Sequence, residues 1–312
     1  MTDIVAGVDG GGSKTRLILA DVAGNHIADV TGPGSAMAPG RADQSAGVIG
    51  DLVRQALTEA GREGVRPKVM VAGVAGVGRS NEQRALTAAL EDLELADAIV
   101  VEGDGEIALA DAFGTGPGII VVSGTGSIAY GRGPSRTLDR CGGWGPAFGD
   151  EGSGAWIGRK ALAIVAAAAD GREPATALTG AVLTAAQINE PSELIPWGIA
   201  ATPRQLAALA PVVFNAASAG DVRANSLVGL AVEELVLHVR ALAIRLFGDD
   251  RAAVPVAFAG GLLLKGSLLR KRLEQRLKSA VPGAQIRAGD IVAARGAVKV
   301  ALMRMSRQPV AG

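Results

Sequence analysis

Residues 4–21 read IVAGVDGGGSKTRLILAD, with three consecutive glycines between two apolar runs. This pattern predicts a strand, a tight glycine turn and a second strand. Glycine has no Cβ, so the backbone amides of such a turn can approach an anion closely, and the polar residues that follow add donors. We therefore expect phosphate binding here, while an ordinary hairpin without a ligand remains the alternative. The candidate nucleotide-binding residues of this turn are Gly10, Gly11, Gly12, Ser13, Lys14 and Thr15. A Walker A loop is excluded, because that motif leads into a helix, whereas the residues after this turn continue as a strand.

The composition limits the classes of function. The chain has 312 residues with 31 basic and 31 acidic side chains, so no bulk charge attracts nucleic acid or an anionic membrane. The single cysteine, Cys141, excludes an intrachain disulfide and a multi-cysteine metal cluster. Only His26 and His238 are present, which disfavours a histidine metal site, and His238 is expected to be a buried structural residue of a helix. No secretory signal is visible and the longest apolar run, 161–169, is too short to cross a bilayer, so we expect a cytoplasmic protein.

Short apolar strands alternate with helical patterns along the chain, which is typical of an α/β fold. After the opening hairpin we predict a Gly/Pro loop at 31–35. The segment 114–118, GTGPG, is the best boundary candidate, because an apolar strand at 119–122 opens a second α/β unit beyond it. Helices are predicted in this second unit at 175–188, 203–217 and 221–247, among others.

Two further glycine turns follow predicted strands. Ser123-Gly124-Thr125-Gly126-Ser127 repeats the logic of the first turn, with small residues and hydroxyl groups at the end of an apolar strand. Gly260 and Gly261 follow the strand 254–259, where paired glycines allow a flat adenine or ribose to approach the backbone. Each turn alone is a weak signal. The three in this order predict a nucleotide site to which Gly124, Thr125, Gly126, Gly260 and Gly261 contribute.

Asp104 is the candidate catalytic residue. It follows the strand 98–101 and precedes a predicted helix, so it is placed both as a helix N-cap and as a carboxylate within reach of a substrate hydroxyl. Phosphoryl transfer needs such a carboxylate to orient the attacking hydroxyl and accept its proton. Glu102 and Glu106 are the rival carboxylates in this segment.

The segment 141–154, CGGWGPAFGDEGSG, is the most specific part of the sequence. Trp144 lies among glycines, where it is placed either to pack on the face of a sugar or to fill a contact between lobes. Asp150 is placed either to accept hydrogen bonds from sugar hydroxyls or to cap the helix that follows. Polar groups that hydrogen-bond a polyol discriminate between substrates better than apolar contacts do.

These motifs together resemble the N-acetylglucosamine kinase group of the BadF/BadG/BcrA/BcrD ATPase family. The resemblance covers essentially the whole chain, and its most specific element is the block Gly-Gly-Trp-Gly followed by Gly-Asp-Glu-Gly-Ser. It implies the two-lobed ribonuclease-H-like fold of the actin, Hsp70 and hexokinase superfamily, with nucleotide and sugar bound in a cleft between the lobes. We accordingly expect an N-terminal lobe at 1–115 and a larger C-terminal lobe at 116–312, with the last helix, 293–306, packing back on the first lobe.

The resemblance also implies the reaction, the cofactors and the roles of individual residues. It implies an ATP-dependent kinase that phosphorylates the 6-hydroxyl of an amino sugar, with ATP and Mg²⁺ as cofactors. Ser13 and Thr125 would contact the phosphates, Asp104 would be the base, and Asp9 would help to hold hydrated Mg²⁺. The implied sugar-binding residues, besides Asp104, are Ser35, Ser127, Gly143, Trp144, Gly145 and Asp150.

N-acetylglucosamine is the expected substrate, with glucosamine and N-acetylmuramic acid as alternatives. Relatives that bind N-acetylglucosamine often carry an Asn in the loop after the first hairpin, where this chain has Ser35. The loop 34–37 offers a hydroxyl and apolar groups but no acid, which favours an acetamide over a cationic amine. A sugar-sensing regulator is the non-enzymatic alternative, and a homodimer remains an open expectation. The dehydratase activators of the same family need two cysteines per subunit, which this chain does not have.

Overall fold

The computed structural model describes residues 3–249 and 251–306. The chain divides into two compact units. The first unit takes Met1–Gly116 together with Ile291–Gly312, and the second takes Pro117–Asp290. Across the described residues, the structure contains no helix that is both long enough and apolar enough to span a membrane.

The described elements are ten strands and eleven α-helices. The strands are β1 Ile4–Gly10, β2 Lys14–Asp21, β3 His26–Pro33, β4 Val69–Val74, β5 Ile99–Gly103, β6 Gly118–Ser123, β7 Ser127–Arg132, β8 Leu138–Gly142, β9 Val254–Ala259 and β10 Ala284–Ile286. The helices are α1 Ala42–Glu59, α2 Ser80–Glu91, α3 Asp104–Phe113, α4 Gly154–Ala169, α5 Leu178–Ala186, α6 Leu194–Ala200, α7 Pro203–Ala207, α8 Ala210–Ser218, α9 Val222–Phe247, α10 Leu268–Ala280 and α11 Ala293–Met305. Two short 3₁₀ segments lie at Pro191–Glu193 and Gly261–Leu263.

The first unit is built on a five-stranded sheet in the order β3-β2-β1-β4-β5. The strands β1, β2 and β3 are antiparallel, whereas β4 and β5 run parallel to β1. Successive side chains of a strand point to opposite faces. Val5 therefore packs with α11 on one face, while Ala6 and Val8 pack on the other face with α1 and α2. At Gly7 a Cβ would lie 2.4 Å from the Ala294 carbonyl oxygen, so only glycine lets α11 approach the sheet this closely.

The second unit repeats this topology. Its sheet has the order β10-β9-β6-β7-β8, with β6, β7 and β8 antiparallel and β9 and β10 parallel to β6. One large apolar core joins this sheet to the surrounding helices, above all to α9. Three antiparallel strands followed by two parallel strands, twice in one chain, is the strand order of the ribonuclease-H-like fold. The predicted α/β class and this fold are confirmed.

Some predicted elements are wrong in detail. Residues 31–33, predicted as part of a loop, belong to β3, where Pro33 is tolerated because β3 is an edge strand. The helix predicted at 203–217 is two helices, α7 and α8. Pro211 in the first turn of α8 has no N–H to donate to the carbonyl of Ala207, so α7 cannot continue. The helix predicted at 175–188 is shorter at both ends, and α6 was not predicted.

Candidate functional site

The first glycine turn joins β1 to β2. The Gly11 N–H donates to the Lys14 carbonyl over 3.0 Å, which closes the hairpin. Gly10 is buried at the end of β1, whereas Gly12, Ser13 and Lys14 are exposed. The turn therefore presents a hydroxyl, an ammonium and small residues to solvent, as an anion site requires.

A second loop supports this turn from within the first unit. The Ser35 and Ala36 N–H groups both donate to the Gly11 carbonyl, over 3.1 and 3.2 Å. The Thr15 hydroxyl donates to the Ser35 hydroxyl over 2.8 Å, and both side chains are buried. A Cβ at Gly10 would lie only 2.6 Å from the Ser35 Oγ. Thr15 and Ser35, predicted as nucleotide and sugar contacts, are thus turned towards each other and hold the turn in place.

Asp9 is a half-buried carboxylate on β1, directly before the glycines. Burial, and then the Asp104 carboxylate, raise its pKa from 3.8 to about 6, against the opposing effect of Lys14 and Arg16. The two predicted carboxylates, Asp9 and Asp104, therefore interact electrostatically. Two carboxylates in one partly desolvated place repel each other, and a bound cation would relieve that repulsion.

Asp104 is the first residue of α3, immediately after β5. The N-cap is Gly103, so the prediction of Asp104 as the N-cap is shifted by one position. The Asp104 Oδ1 accepts a hydrogen bond from the Gly105 N–H over 2.9 Å, and the Glu106 side chain reaches back to the Gly103 N–H over 3.3 Å. Glu102, the other alternative candidate for the catalytic carboxylate, pairs with Arg304. Both rival carboxylates therefore have structural partners.

The helix that carries Asp104 is fixed by a buried carboxylate that the sequence analysis missed. Asp111, on α3, accepts hydrogen bonds from Arg295 and Lys299 of α11 and from the Val292 N–H, all between 2.6 and 2.9 Å. Burial raises the pKa of Asp111, but these donors outweigh burial and the pKa lies below its ordinary value. An Asp inside the otherwise apolar run IALADAF was the available signal.

The second glycine turn joins β6 to β7 in the second unit. The Gly124 N–H donates to the Gly126 carbonyl over 2.9 Å. The first residues of α4 bind the outside of the turn, because the Gly154 N–H donates to the Gly124 carbonyl and the Ala155 N–H to the Thr125 carbonyl. The start of α4 and the turn are therefore one connected structure.

The paired glycines after β9 lie beside this second turn. A Cβ at Gly124 would be 3.8 Å from the Gly261 amide nitrogen. Gly260 has a φ of 90°, and a Cβ there would lie 2.3 Å from the Ser123 carbonyl oxygen, so the position requires glycine. The structure thus brings together two of the three predicted nucleotide segments within one unit.

The segment between β8 and α4 is held against both ends of the second turn. The Ser123 hydroxyl donates to the Gly152 carbonyl over 2.9 Å, and the Ser127 hydroxyl donates to the Glu151 carbonyl over 2.6 Å. Ser127 was predicted as a sugar contact, and its hydroxyl donates a hydrogen bond to this backbone carbonyl. The N-cap of α4 is Ser153. The alternative in which Asp150 caps this helix is therefore wrong.

Asp150 instead organises the loop around it. It adopts a left-handed backbone, with φ of 57°, and its Oδ1 accepts a hydrogen bond from the Gly145 N–H over 3.2 Å. Burial, opposed by the Gly145 N–H and supported by Glu151, raises the pKa of Asp150. A Cβ at Gly126 would lie 2.8 Å from the Asp150 Oδ2. The carboxylate therefore lies directly beside the second turn.

Trp144 is 64% exposed, and its indole ring lies 4.9 Å from the Arg140 guanidinium carbon. The loop reaches this position through Gly143, which has a φ of 68° and would place a Cβ 2.4 Å from Ile128. Gly145 also has a positive φ, of 90°. An exposed indole on a glycine-shaped loop gives a flat apolar surface next to the Asp150 carboxylate.

His238 is a residue to which the sequence analysis assigned only a structural role. It is buried, as predicted, and lies behind the loop, with its Nε2 3.9 Å from a Glu151 carboxylate oxygen. Burial lowers its pKa, although Glu151 opposes this. Within the described residues its Nδ1 has no hydrogen-bond partner.

Comparisons with known proteins identify the family of this chain. The model of the BadF/BadG/BcrA/BcrD ATPase family matches residues 6–301. The chain is 31% identical to the N-acetylmuramic acid/N-acetylglucosamine kinase of Clostridium acetobutylicum, over 95% of this chain and 97% of that protein. It is 27% identical to the N-acetyl-D-glucosamine kinase of Dictyostelium discoideum, over 91% of this chain and 93% of that protein.

A solved structure has the same fold over nearly the whole chain. It is a protein of Chromobacterium violaceum proposed to be an N-acetylglucosamine kinase, with a TM-score of 0.75 and 32% identity, covering 96% of this chain and 99% of that one. The family match spans both units and includes all four sequence motifs. The chain is a member of the BadF/BadG/BcrA/BcrD ATPase family.

Proposed function

We propose that this protein is an ATP-dependent kinase that transfers a phosphoryl group to the 6-hydroxyl of an amino sugar, and that the sugar is N-acetylglucosamine. The names of the related kinases support both the reaction and the class of sugar. The observation that carries the proposal is the position of Asp104, a carboxylate at the first turn of α3 that acts electrostatically on Asp9. Because the reaction consumes ATP, we also propose a cytoplasmic location.

Asp104 acts as the general base. Its carboxylate accepts the proton of the sugar 6-hydroxyl while that oxygen forms a bond to the γ-phosphorus of ATP and the bond to the β-phosphate oxygen breaks. The Gly105 N–H holds one carboxylate oxygen, which fixes the orientation of the side chain. The bonds from Asp111 to α11 keep the helix itself in place.

The carboxylates of the first unit fit a magnesium ion that arrives with ATP. Within residues 3–249 and 251–306, no group of three or more His, Cys, Asp or Glu side chains is arranged to hold a metal. Mg²⁺ typically uses one or two carboxylates, several waters and the substrate phosphates, so Asp9 with Asp104 nearby is a sufficient protein contribution. When bound, the ion would neutralise phosphate charge, and Asp9 would hold its water shell.

The glycine turns bind the nucleotide. Gly12, Ser13 and Lys14 are exposed at the first turn and supply amide, hydroxyl and ammonium donors. Thr125, half-buried in the second turn, supplies a hydroxyl next to Gly124, whose own neighbour is the backbone of Gly261. Thr15 and Ser35 act indirectly, because their mutual hydrogen bond fixes the first turn.

The loop between β8 and α4 binds the sugar. Trp144 offers its exposed ring to the apolar face of a pyranose, and Asp150 accepts hydrogen bonds from hydroxyl groups. Ser127 holds the loop through the Glu151 carbonyl, so we assign it a positioning role in addition to any contact with the sugar.

A phosphorylation panel tests the function and the choice of sugar. Purified protein is given ATP, Mg²⁺ and, separately, N-acetylglucosamine, glucosamine, N-acetylmuramic acid and glucose, and kcat/KM is measured for each. We expect N-acetylglucosamine to give the highest value. A tenfold preference for glucosamine or for N-acetylmuramic acid would overturn the assignment of the sugar but keep the kinase. Failure to phosphorylate any of the four would contradict the kinase itself.

Two variants connect that result to the site. Trp144→Ala should raise the KM for the sugar with little change in the KM for ATP, because the ring is proposed to contact only the sugar. Trp156→Phe is a matched control, because Trp156 lies on α4 and stacks with Lys160. An equal loss of sugar affinity in both variants would contradict the role of Trp144.

A further inference from the structure

Trp144 projects from a loop that otherwise closes on itself. We call residues 143–150, between β8 and α4, the sugar loop. The Gly149 N–H donates to the Gly145 carbonyl over 2.9 Å, and a Cβ at Gly149 would lie 2.7 Å from the Trp144 Cβ. The base of the Trp144 side chain is therefore packed within the loop, whereas most of the residue is exposed. Packing inside the loop alone does not fix the orientation of the indole ring.

Arg140, four residues earlier on β8, covers one face of that ring. Its guanidinium carbon lies 4.9 Å from the centroid of the indole, which is within the range of a cation–π contact. Arginine suits this contact, because its planar guanidinium stacks on an aromatic face while its N–H groups still reach acceptors. A cation on one face leaves the opposite face of the indole for a sugar.

The backbone at the end of β8 holds the guanidinium in this place. The Arg140 Nη1 donates to the Gly142 carbonyl over 3.0 Å and to the Gly143 carbonyl over 3.2 Å. Both glycines have a positive φ, of 74° and 68°, so the chain leaves β8 through two successive residues that favour glycine. One side chain thus joins the turn out of β8 to the ring of Trp144.

Helix α9 anchors the strand position from which Arg140 projects. The Arg245 Nε donates to the Asp139 carboxylate over 2.6 Å, and its Nη2 donates to the Arg140 carbonyl over 2.8 Å. The hydrogen bond from Arg245 lowers the pKa of Asp139, so this carboxylate is ionised and keeps its partner at neutral pH. The backbone of Arg140 is therefore tied to α9, although β8 is an edge strand.

We infer that Arg140 is a positioning residue for sugar binding, which holds the Trp144 indole in the orientation in which its free face receives the pyranose. The inference rests on the proposed function, in which Trp144 contacts the sugar. An exposed tryptophan without such a partner has several rotamers, and fixing one of them on binding costs affinity. Arg140 removes that cost beforehand and does not touch the reacting atoms.

Steady-state kinetics test this role. Arg140→Ala should raise the KM for the sugar about threefold to thirtyfold, as expected for loss of a cation–π contact, with kcat and the KM for ATP nearly unchanged. Arg140→Lys keeps the charge but loses the planar fork, so its KM should lie between those of the wild type and Arg140→Ala. Arg204→Ala, at an exposed position of α7, is the matched control and should resemble the wild type. An unchanged sugar KM in Arg140→Ala, or a lysine variant equal to the wild type, would overturn the inference.

The double variant with Trp144→Ala shows whether Arg140 acts through the ring. If it does, Arg140→Ala should add little to the loss that Trp144→Ala already causes. Losses that multiply would give Arg140 a direct contact with the sugar and contradict a positioning role. If Trp144→Ala alone leaves the sugar KM unchanged, the proposed role of the sugar loop fails together with the inference. If Trp144→Ala raises the KM and Arg140→Ala does not, only the inference about Arg140 fails.

The motion of the ring can also be measured without turnover. Trp156→Phe and Trp197→Phe leave Trp144 as the single tryptophan of the chain. In this background, Arg140→Ala should add a fast component to the time-resolved fluorescence anisotropy, because an exposed side chain then changes rotamer within nanoseconds. Circular dichroism confirms that each variant is folded. An anisotropy decay that is the same with and without the Arg140 side chain would overturn the inference.

Discussion

Asp111 and Arg295 lie 184 positions apart in the chain and form a two-point ion pair inside the first unit. The Arg295 Nε donates to one carboxylate oxygen over 2.7 Å and its Nη2 to the other over 2.6 Å. The Asp111 side chain is fully buried, whereas the guanidinium is half exposed. Close by, a Cβ at Gly296 would lie within 2 Å of the Ile107 carbonyl oxygen, so α11 meets the catalytic helix α3 almost backbone to backbone.

Asp111→Asn should therefore destabilise the protein by about 2–4 kcal/mol, since a buried carboxylate with several charged donors is replaced by a neutral group. Urea unfolding at pH 7 measures the loss. Asp97→Asn is the matched control. Asp97 pairs with Lys68 at the surface, where such a bridge contributes up to about 1 kcal/mol. Because the pKa of Asp111 is lowered, its contribution is complete above its ordinary pKa of 3.8 and disappears as the pH falls further. Equal losses in the two variants would contradict a special role for Asp111.

Asp104→Asn should keep the fold and ATP binding but lower kcat by roughly 10²–10⁴-fold, because an amide cannot accept the proton of the sugar hydroxyl. The variant retains a side-chain oxygen for the Gly105 N–H, so α3 should begin at the same place. Glu106→Gln is the control, because it keeps an acceptor for the Gly103 N–H near the same helix start. Turnover close to wild type in Asp104→Asn would remove this residue from the mechanism.

Asp9→Asn should stabilise the protein while weakening its use of Mg²⁺. The pKa of Asp9 is raised from 3.8 to about 6 in the folded protein. The free energy of unfolding of the wild-type protein therefore falls as the pH rises between these two values, because the folded state resists ionisation of Asp9. We expect the Asn variant to gain about 1–3 kcal/mol at pH 8, allowing for partial exposure, and nothing below about pH 4. Thermal unfolding at both pH values and a Mg²⁺ titration of activity measure the two effects. A variant that is less stable at pH 8, with unchanged Mg²⁺ dependence, would contradict both.

Gly124→Ala should weaken ATP binding at least about tenfold, because a methyl group at the turn obstructs the approach of a phosphate to the backbone. The protein itself has room for this methyl group, since the nearest atom, the Gly261 nitrogen, is 3.8 Å away. The fold should therefore be intact, unlike Gly260→Ala, which would clash with the Ser123 carbonyl. Calorimetry with ATP measures the affinity, and Gly180→Ala on α5 is the control. Unchanged affinity would exclude the second turn from the nucleotide site.

The parts of the fold that sequence predicted correctly depend on local signals. Three glycines between apolar runs predicted the hairpin of β1 and β2, and the change from strand to helix around Asp104 was visible in the same way. The break between α7 and α8 was missed because Pro211 was not considered as an obstacle to a continuous helix. The edge strand β3 was hidden by its glycine and proline, which are typical of loops.

In the candidate site, too, only the features that depend on local sequence could be predicted. Positions were predictable, since Asp9, Asp104, Gly124 and Asp150 all lie beside turns that the sequence shows. The partners of side chains were not. The bond between Thr15 and Ser35 and the bonds of Asp111 join residues 20 to 188 positions apart, and a single sequence contains no signal for such pairs.

The position of α11 has a consequence for the order in which the chain acquires its structure during synthesis. All strands of the first unit leave the ribosome within the first 103 residues, but the helix that covers one face of their sheet begins only at Ala293. The second unit, Pro117–Asp290, is continuous and is complete before that helix has been made. The second unit can therefore close its core first, while Val5, Val69 and Val71 still lack the cover of α11, which begins 180 residues after the end of α3.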